Sequence, residues 1–120
     1  MRETVGSNAK GARLTPESRL KKQLINEVFV PRGAFWSRID QGTAGKPGDP
    51  DIVICYKGRF IGIEAKTYSN GLREMQKRRK AEIEASGGRF VVARCNKDVE
   101  DVLNEIDLEE RGVIFNDKKD

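Results

Sequence analysis

Residues 51–66 of this chain read DIVICYKGRFIGIEAK. The segment consists of two runs rich in isoleucine and valine, separated by Lys57 and Gly58. β-Branched residues favour extended strands, and a two-residue break that contains glycine has the length of a tight hairpin loop. The sequence therefore predicts an antiparallel β-hairpin with arms over residues 51–56 and 59–66.

The turn fixes the pairing register of this hairpin. If Lys57 and Gly58 are the two loop residues, Asp51 falls directly opposite Glu64. Opposed residues in an antiparallel pair point to the same side, with Cβ atoms roughly 4.5–5.5 Å apart. Two carboxylates at that distance repel each other, and a hard divalent cation bound by their oxygens would neutralise them.

The same alternation predicts what else lies on each face of the hairpin. Lys66 should share the face of Glu64, and Gly62 should leave open space beside the charges. A surface hairpin with merely solvated charges is the alternative, but register, alternation and chemistry agree on a metal site. The opposite face should pack on the core, because it carries only apolar residues: Ile52, Ile54, Ile61 and Ile63.

Length and composition restrict the class of protein. The chain has 120 residues, enough for one domain with one core. It contains neither an 18-residue apolar stretch nor a signal-peptide core, so we expect a soluble protein that is not secreted and has no membrane partner. Cys55 and Cys95 lie in apolar runs, which predicts small buried hydrophobes in a reducing compartment rather than a disulfide.

The chain contains no histidine. Within this chain, that absence excludes Ser-His-Asp and Cys-His catalysis, zinc sites that need histidine, and nucleases with a histidine general base. The two cysteines cannot form a zinc ribbon alone. Any catalysis must therefore rest on carboxylates, lysine and bound water, and we expect a metal ion to assist them.

The basic residues favour a polyanionic partner. The net charge is +4 and the pI is near 9.2. Clusters occur at residues 19–22 and 77–80, and such clusters beside a carboxylate site suit a phosphate backbone. For either cluster alone, a solvated helix face with paired charges explains the sequence equally well. The candidate DNA contacts are Arg19, Lys22, Lys46, Lys77, Arg78, Arg79 and Lys80.

A helix is predicted before the hairpin. Thr15 is a suitable N-cap and Pro16 a suitable first helical residue, and the apolar spacing continues to about Val28. Glu17 lies on the inward stripe of this helix. It either interacts favourably with the helix dipole or is a further acidic group that reaches the metal site.

The remaining elements follow from turn signals and periodicity. A strand over residues 34–41 precedes a glycine-rich loop, which lacks the residue order of a phosphate-binding P-loop. A helix over 72–86 places Gln76 on its inward face. A strand over 89–95 should lie parallel to the strand of Glu64, since crossovers are right-handed, and a helix over 98–106 follows. The predicted division is a mobile arm (1–13), one domain (14–108) and a polar tail (109–120).

This order of elements resembles the PD-(D/E)XK nuclease superfamily, with Asp51 heading the second strand and Glu64-Ala65-Lys66 ending the third. More narrowly, residues 48–51 (GDPD), residues 60–66 (FIGIEAK) and Gln76 look like the VRR-NUC family. The resemblance covers about residues 15–95. It implies an α/β fold with a restriction-endonuclease-like αβββαβ core, in which a mixed sheet is flanked by helices.

The resemblance also implies roles for individual residues. Asp51 and Glu64 would hold Mg²⁺ or Mn²⁺, and the Ala65 carbonyl would add a third ligand. Lys66 would activate the attacking water or stabilise charge. Two more side chains complete the implied site: Gln76 would orient Lys66 or the water, and Glu17 would be an outer or direct metal ligand.

The implied activity is metal-dependent hydrolysis of DNA phosphodiester bonds. Stand-alone, virus-type members of the family are expected to be homodimers similar to Holliday junction resolvases. Branched DNA is then the expected substrate, and the cytoplasm or nucleoid of a host cell the expected location. Two alternatives stay open: a non-catalytic DNA-binding module that keeps the nuclease fold, and a nuclease that acts on RNA. Residues 113–115, an apolar patch, are a candidate dimer surface or a tail that packs on its own core.

Overall fold

The computed structural model describes residues 14–39, 45–68 and 71–112. The predicted arm and the apolar patch at 113–115 lie outside these ranges. The described residues form a four-stranded sheet flanked by helices, which confirms the predicted α/β class. In chain order the elements are α1 (Pro16–Leu24), a π-helical turn (Ile25–Phe29), α2 (Val30–Arg32), β1 (Phe35–Arg38), β2 (Ile52–Tyr56), β3 (Arg59–Ala65), α3 (Glu74–Ala85), β4 (Arg89–Ala93) and α4 (Asn96–Glu110).

The sheet has the strand order β1-β2-β3-β4. The first two pairs are antiparallel, and β4 runs parallel to β3, as the predicted crossover requires. Lys57 (φ 49°) and Gly58 (φ 84°) both have positive φ, which is the geometry of a type I′ hairpin loop. Ile52 pairs with Ile63, so the predicted register is confirmed.

One face of the sheet forms the main core. Isoleucines of β2 and β3 pack there against α1, the π-helical turn and α4, as their alternation predicts. Burial of these apolar side chains is the principal stabilising contribution to the fold. The fully buried members with the largest side chains are Leu24, Val28, Phe29, Ile52, Ile54, Ile61, Ile63, Val99, Leu103 and Ile106.

The opposite face is covered as well, so the predicted open space at Gly62 is wrong. A Cβ atom placed on Gly62 would lie 3.0 Å from Cγ of Pro50 and 3.2 Å from Cδ1 of Ile83 in α3. Glycine is required here because another segment approaches the strand closely, not because a ligand needs room. The charged residues on this face therefore lie beneath a helix.

The first helix starts as predicted and continues further than predicted. Thr15 Oγ1 accepts a hydrogen bond from the Ser18 N–H at 3.0 Å, which makes Thr15 the N-cap. Helical structure then extends beyond Val28 to Arg32. Pro31 lacks a backbone donor, and the helix widens to π geometry in the turn before it, so the chain remains helical through the proline.

Two elements, α4 and β1, end at residues other than those predicted. Helix α4 continues to Glu110. The first two residues of the predicted polar tail, Glu109 and Glu110, are therefore helical. Glu109 and Glu110 stay helical because they form ion pairs with Arg89 and Arg59. Strand β1 ends at Arg38, short of the predicted residue 41.

The predicted burial of the cysteines is wrong. Both thiols are free and exposed. Cys55 alternates with the buried Ile54 and Tyr56, so it points away from the main core. Cys95 lies beyond the end of β4, at the N-cap of α4. None of the helices in the described ranges is long and apolar enough to cross a membrane.

Candidate metal and nucleic-acid site

Glu64 is a buried carboxylate near the end of β3. Only 5% of the residue is exposed, because α3 covers this face of the sheet. Its Oε2 accepts a hydrogen bond from Gln76 Nε2 at 2.9 Å. Its Oε1 is also buried and has no hydrogen-bond partner among the described residues. Buried polar atoms normally have a partner, so an unpaired carboxylate oxygen indicates a place for a ligand.

Asp51 lies opposite Glu64 across the hairpin, immediately before β2. Its Oδ2 accepts a hydrogen bond from the Ala65 N–H at 2.9 Å, which ties the side chain to the end of β3. Its backbone carbonyl accepts the Ile39 N–H at 2.9 Å, which ties the main chain to the segment after β1. Asp51 is therefore held on both sides in the position that the register predicts.

Two lysines face these carboxylates. Lys66 Nζ lies 3.9 Å from Glu64 Oε2, and the residue is only 8% exposed. Lys21 of α1 reaches the site from another element, with its Nζ 3.9 Å from Asp51 Oδ1. Both distances exceed hydrogen-bond length, so the lysines act on the carboxylates by charge rather than by directed contact.

Burial makes the charged form of Glu64 unfavourable. Burial, followed by the neighbouring charge of Asp51, raises the pKa of Glu64 from 4.5 to about 7. Lys66, Arg73 and Lys21 lower the same pKa and offset only part of that rise. Because burial penalises the charged form, binding of a proton or of a cation to this carboxylate is favoured.

The donor set fits a hard divalent cation. Among the described residues, Glu64 Oε1 has no hydrogen-bond partner and Asp51 Oδ1 makes no hydrogen bond. No three Asp, Glu or Cys side chains in the described ranges are grouped so that they could hold a metal by themselves. Mg²⁺ commonly uses one or two carboxylates and completes its shell with water and substrate phosphate oxygens. Two carboxylates therefore suffice for that mode.

Gln76 holds Glu64 rather than Lys66. The inward direction predicted for this glutamine is confirmed, since only 3% of the residue is exposed. Its Oε1 accepts a hydrogen bond from the Arg73 N–H at 2.9 Å at the start of α3. The amide group is thereby oriented so that its NH₂ points at Glu64. Gln76 links the first turn of α3 to the carboxylate.

The remaining metal ligands that the resemblance implies stay predictions. Glu17 is half-buried in the first turn of α1, and it makes no hydrogen bond or ion pair within residues 14–39, 45–68 and 71–112. Ala65 contributes its N–H to Asp51.

The loop that precedes Asp51 packs against α3 and is hydrogen-bonded to it. Asp49 accepts hydrogen bonds from the Lys46 N–H at 2.8 Å and from Arg79 Nε at 3.0 Å. Gly48 lies so close to Met75 that a Cβ atom would be 2.4 Å from the Met75 carbonyl oxygen. The structure therefore gives Arg79, a predicted DNA contact, a positioning role in which it anchors the loop before Asp51.

The other predicted DNA contacts lie on the surface. Lys77 is exposed and Lys80 is half-buried, and they form ion pairs with Glu74 and Glu84 within α3. Arg19 donates to the Leu14 carbonyl at 2.9 Å. Three further cations are exposed and form no ion pair within the part of the chain that the structure describes: Lys22, Lys46 and Arg78.

Two basic residues at the site were missed at the level of sequence. The sequence indicates Lys21 only as part of a basic cluster. Lys21 lies one helical turn after Glu17 on the same face of α1, and this spacing could have indicated its position at the site. Arg73 precedes α3 and lowers the pKa of Glu64 through its charge. No local pattern points to Arg73, because its proximity depends on how α3 packs on the sheet.

The described residues form an α/β fold with the element order αβββαβ and buried charges at one end of the central hairpin. A solved structure described as a VRR_NUC domain has this fold: its TM-score is 0.63 at 22% identity, and the match covers 75% of this chain and 96% of the solved chain. The sequence matches no protein-family model and no curated protein. The structural match confirms the VRR_NUC fold that the resemblance implies.

Proposed function

We propose that this protein is a VRR-NUC nuclease that hydrolyses DNA phosphodiester bonds with the help of a divalent cation. The observation that carries this proposal is the pair formed by Asp51 and Glu64. Glu64 has a buried oxygen without a hydrogen-bond partner among the described residues, and Lys66 lies 3.9 Å from its other oxygen. The VRR_NUC fold, which the chain shares with a solved domain, supports the same activity.

The residues of this chain have distinct roles in the proposed reaction. Asp51 and Glu64 would hold Mg²⁺ or Mn²⁺, with the Ala65 carbonyl as a further ligand. A cation bound there would polarise a phosphoryl oxygen and activate water as the nucleophile. Lys66 would stabilise the charge that develops on the phosphoryl oxygens, or orient the attacking water. Gln76 would keep the Glu64 carboxylate in place through its 2.9 Å hydrogen bond.

We further propose that the substrate is branched DNA, such as a Holliday junction, and that a homodimer cuts it. Selection by shape requires two active sites in a fixed relation, which a symmetric dimer provides. Phosphate contacts would come from exposed cations such as Lys22, Lys46 and Arg78. Strand β1 lies at one edge of the sheet and leaves Phe35 67% exposed, a surface that a second copy could cover.

A cleavage panel tests this function. Labelled four-way junction, flap, duplex and single-stranded DNA, together with RNA of matched sequence, are incubated with the protein in Mg²⁺, in Mn²⁺ and in EDTA. We expect metal-dependent cutting, fastest on the branched DNA. Preference for RNA would assign the alternative substrate. Absence of cutting on every substrate with either metal, together with retained DNA binding, would support the non-catalytic module instead.

A further inference from the structure

Helix α1 contributes Lys21 to the site. The proposed reaction gives this lysine no role. Lys21 Nζ lies 3.9 Å from Asp51 Oδ1, and both side chains are 22% exposed. The next residue, Lys22, is exposed and forms no ion pair with the described residues. Lys21 therefore differs from its neighbour in being directed at a carboxylate of the candidate metal site.

The two carboxylates differ in which oxygen their lysine faces. At Glu64, Lys66 lies near Oε2, the oxygen that Gln76 also holds, and Oε1 stays unpartnered among the described residues. At Asp51, the Ala65 N–H holds Oδ2 at 2.9 Å and Lys21 faces Oδ1. A cation between the carboxylates can bind Glu64 Oε1 without displacing Lys66. At Asp51 it meets the ammonium group of Lys21.

We propose that Lys21 is a displaceable counter-cation of Asp51, which must withdraw before a divalent cation can bind Oδ1, and which thereby weakens metal binding. The separation of 3.9 Å is too long for a hydrogen bond, so charge alone holds the ammonium group near Asp51. Two cations at one carboxylate repel each other. The flexible four-carbon stem of lysine lets its head move into solvent.

This inference rests on the proposed metal site and makes Lys21 a positioning residue that acts through Asp51. It predicts a change that loss of structure would not produce, because removal of the lysine should improve metal binding. A merely structural ion pair would give the opposite sign, since its loss would loosen Asp51 and weaken metal binding.

The test is a calorimetric titration of Mn²⁺ into the full chain, stripped of metal with a chelator and kept at constant ionic strength and pH 7.5. We expect Lys21→Met to bind Mn²⁺ about tenfold more tightly than the wild type. Lys22→Met loses the same charge from an adjacent exposed position, and its affinity should stay within about twofold of the wild type. Lys21→Arg keeps the charge and should bind like the wild type.

Thermal unfolding provides a second readout on the same variants. In EDTA, Lys21→Met should unfold at a lower temperature than the wild type, because the repulsion between Asp51 and Glu64 is then less offset. In saturating Mn²⁺ the difference should disappear or change sign, since ligand binding stabilises the folded state in proportion to its affinity.

Several outcomes decide the inference. Mn²⁺ affinity of Lys21→Met that equals or falls below that of the wild type overturns it, and equal tightening in Lys22→Met overturns it as well. A wild type that binds no Mn²⁺ overturns both this inference and the proposed metal site. A wild type that binds Mn²⁺ but cuts no nucleic acid defeats the proposed nuclease, and tighter binding by Lys21→Met would still support the counter-cation role.

Discussion

The charged residues at the two ends of the β2–β3 hairpin differ in how closely they are paired and in how far they are buried. At the turn, Lys57 Nζ lies 2.6 Å from Asp107 Oδ1, and the Tyr56 hydroxyl donates to the same oxygen at 2.7 Å. Arg59 forms an ion pair with Glu110 at 2.7 Å. Every one of these charges has a close partner on α4, and all of them are reached by solvent.

At the open end the charged groups lie farther apart, and two of them are buried. Glu64 and Lys66 are buried and 3.9 Å apart, and one oxygen of Glu64 lacks a partner among the described residues. Paired surface charges contribute modestly to stability, whereas buried charges without close partners reduce it. The turn end therefore fastens the hairpin to α4, whereas the open end has the buried carboxylate on which the proposed metal site depends.

The largest expected effect is loss of cutting at the open end. Lys66→Ala and Asp51→Asn should each lower the cleavage rate by about 1000-fold or more, because metal binding and charge stabilisation act together in the transition state. The circular dichroism spectrum should remain that of the wild type. Lys97→Ala, which removes an exposed lysine that pairs with Asp101 on α4, serves as the control and should cut normally. Undiminished cleavage in either site variant would refute the assignment.

The stability of the metal-free protein should depend on pH through Glu64. The pKa of Glu64 is raised from 4.5 to about 7, so the folded state binds this proton more tightly than the unfolded state does. Stability should then fall as pH rises from about 4.5 to about 7 and stay level above that range. Glu64→Gln has no carboxylate at this position and should not lose stability over this pH range.

Urea unfolding in EDTA measures the size of that loss of stability. Glu64→Gln should be more stable than the wild type by about 2 kcal/mol at pH 8, after allowance for solvent screening, and the difference should shrink toward pH 5. Glu105→Gln on the exposed surface of α4 is the matched control. A Glu64→Gln protein that is less stable at pH 8 would show that the carboxylate is already well neutralised.

The packing beneath α3 should be sensitive to a single methyl group. Gly62→Ala should cost about 1–2 kcal/mol of stability, because the new Cβ atom meets Pro50 and Ile83 at 3.0 and 3.2 Å. Displacement of Pro50 should also disturb Asp51 and slow cleavage. Gly71→Ala has open space around the new atom and should change neither property. Chemical denaturation and the cleavage assay together check this prediction, and a neutral Gly62→Ala would contradict the packing.

The smallest expected effect lies at the turn end. Asp107→Asn should lower Tm by about 3 °C and leave the cleavage rate per folded molecule unchanged. Hydrogen bonds from Lys57 and Tyr56 lower the pKa of Asp107 below its ordinary value of 3.8. Its stabilising contribution is therefore present at neutral pH and is lost as pH falls through the lowered pKa. A large loss of cleavage in Asp107→Asn would erase the distinction between the two ends.

Much of the fold follows from rules that act over short distances. The Lys57-Gly58 loop and the alternation along each arm suffice to set Asp51 against Glu64 and Lys66 on the same face. Right-handed crossover geometry suffices for the parallel pairing of β4. The part of the candidate site that lies on the hairpin can therefore be predicted from one segment of 16 residues.

The features that could not be predicted depend on contacts between distant segments. Gly62 is covered because Pro50 and Ile83 approach it from a loop and from α3. Arg79 looks like one of four equivalent cations until Asp49 is seen beside it at 3.0 Å. Lys21 shares a helix face with Glu17, but its distance of 3.9 Å from Asp51 depends on how α1 packs against the sheet.

The central claim is that Asp51 and Glu64 hold a divalent cation at the open end of the hairpin. Calorimetric titration of Mn²⁺ into the wild type, Asp51→Asn and Asp107→Asn tests it most directly. We predict that the wild type and Asp107→Asn bind Mn²⁺ with equal affinity and that Asp51→Asn binds at least about 100-fold more weakly. Equal affinity in all three proteins, or loss of binding in Asp107→Asn, would contradict the claim.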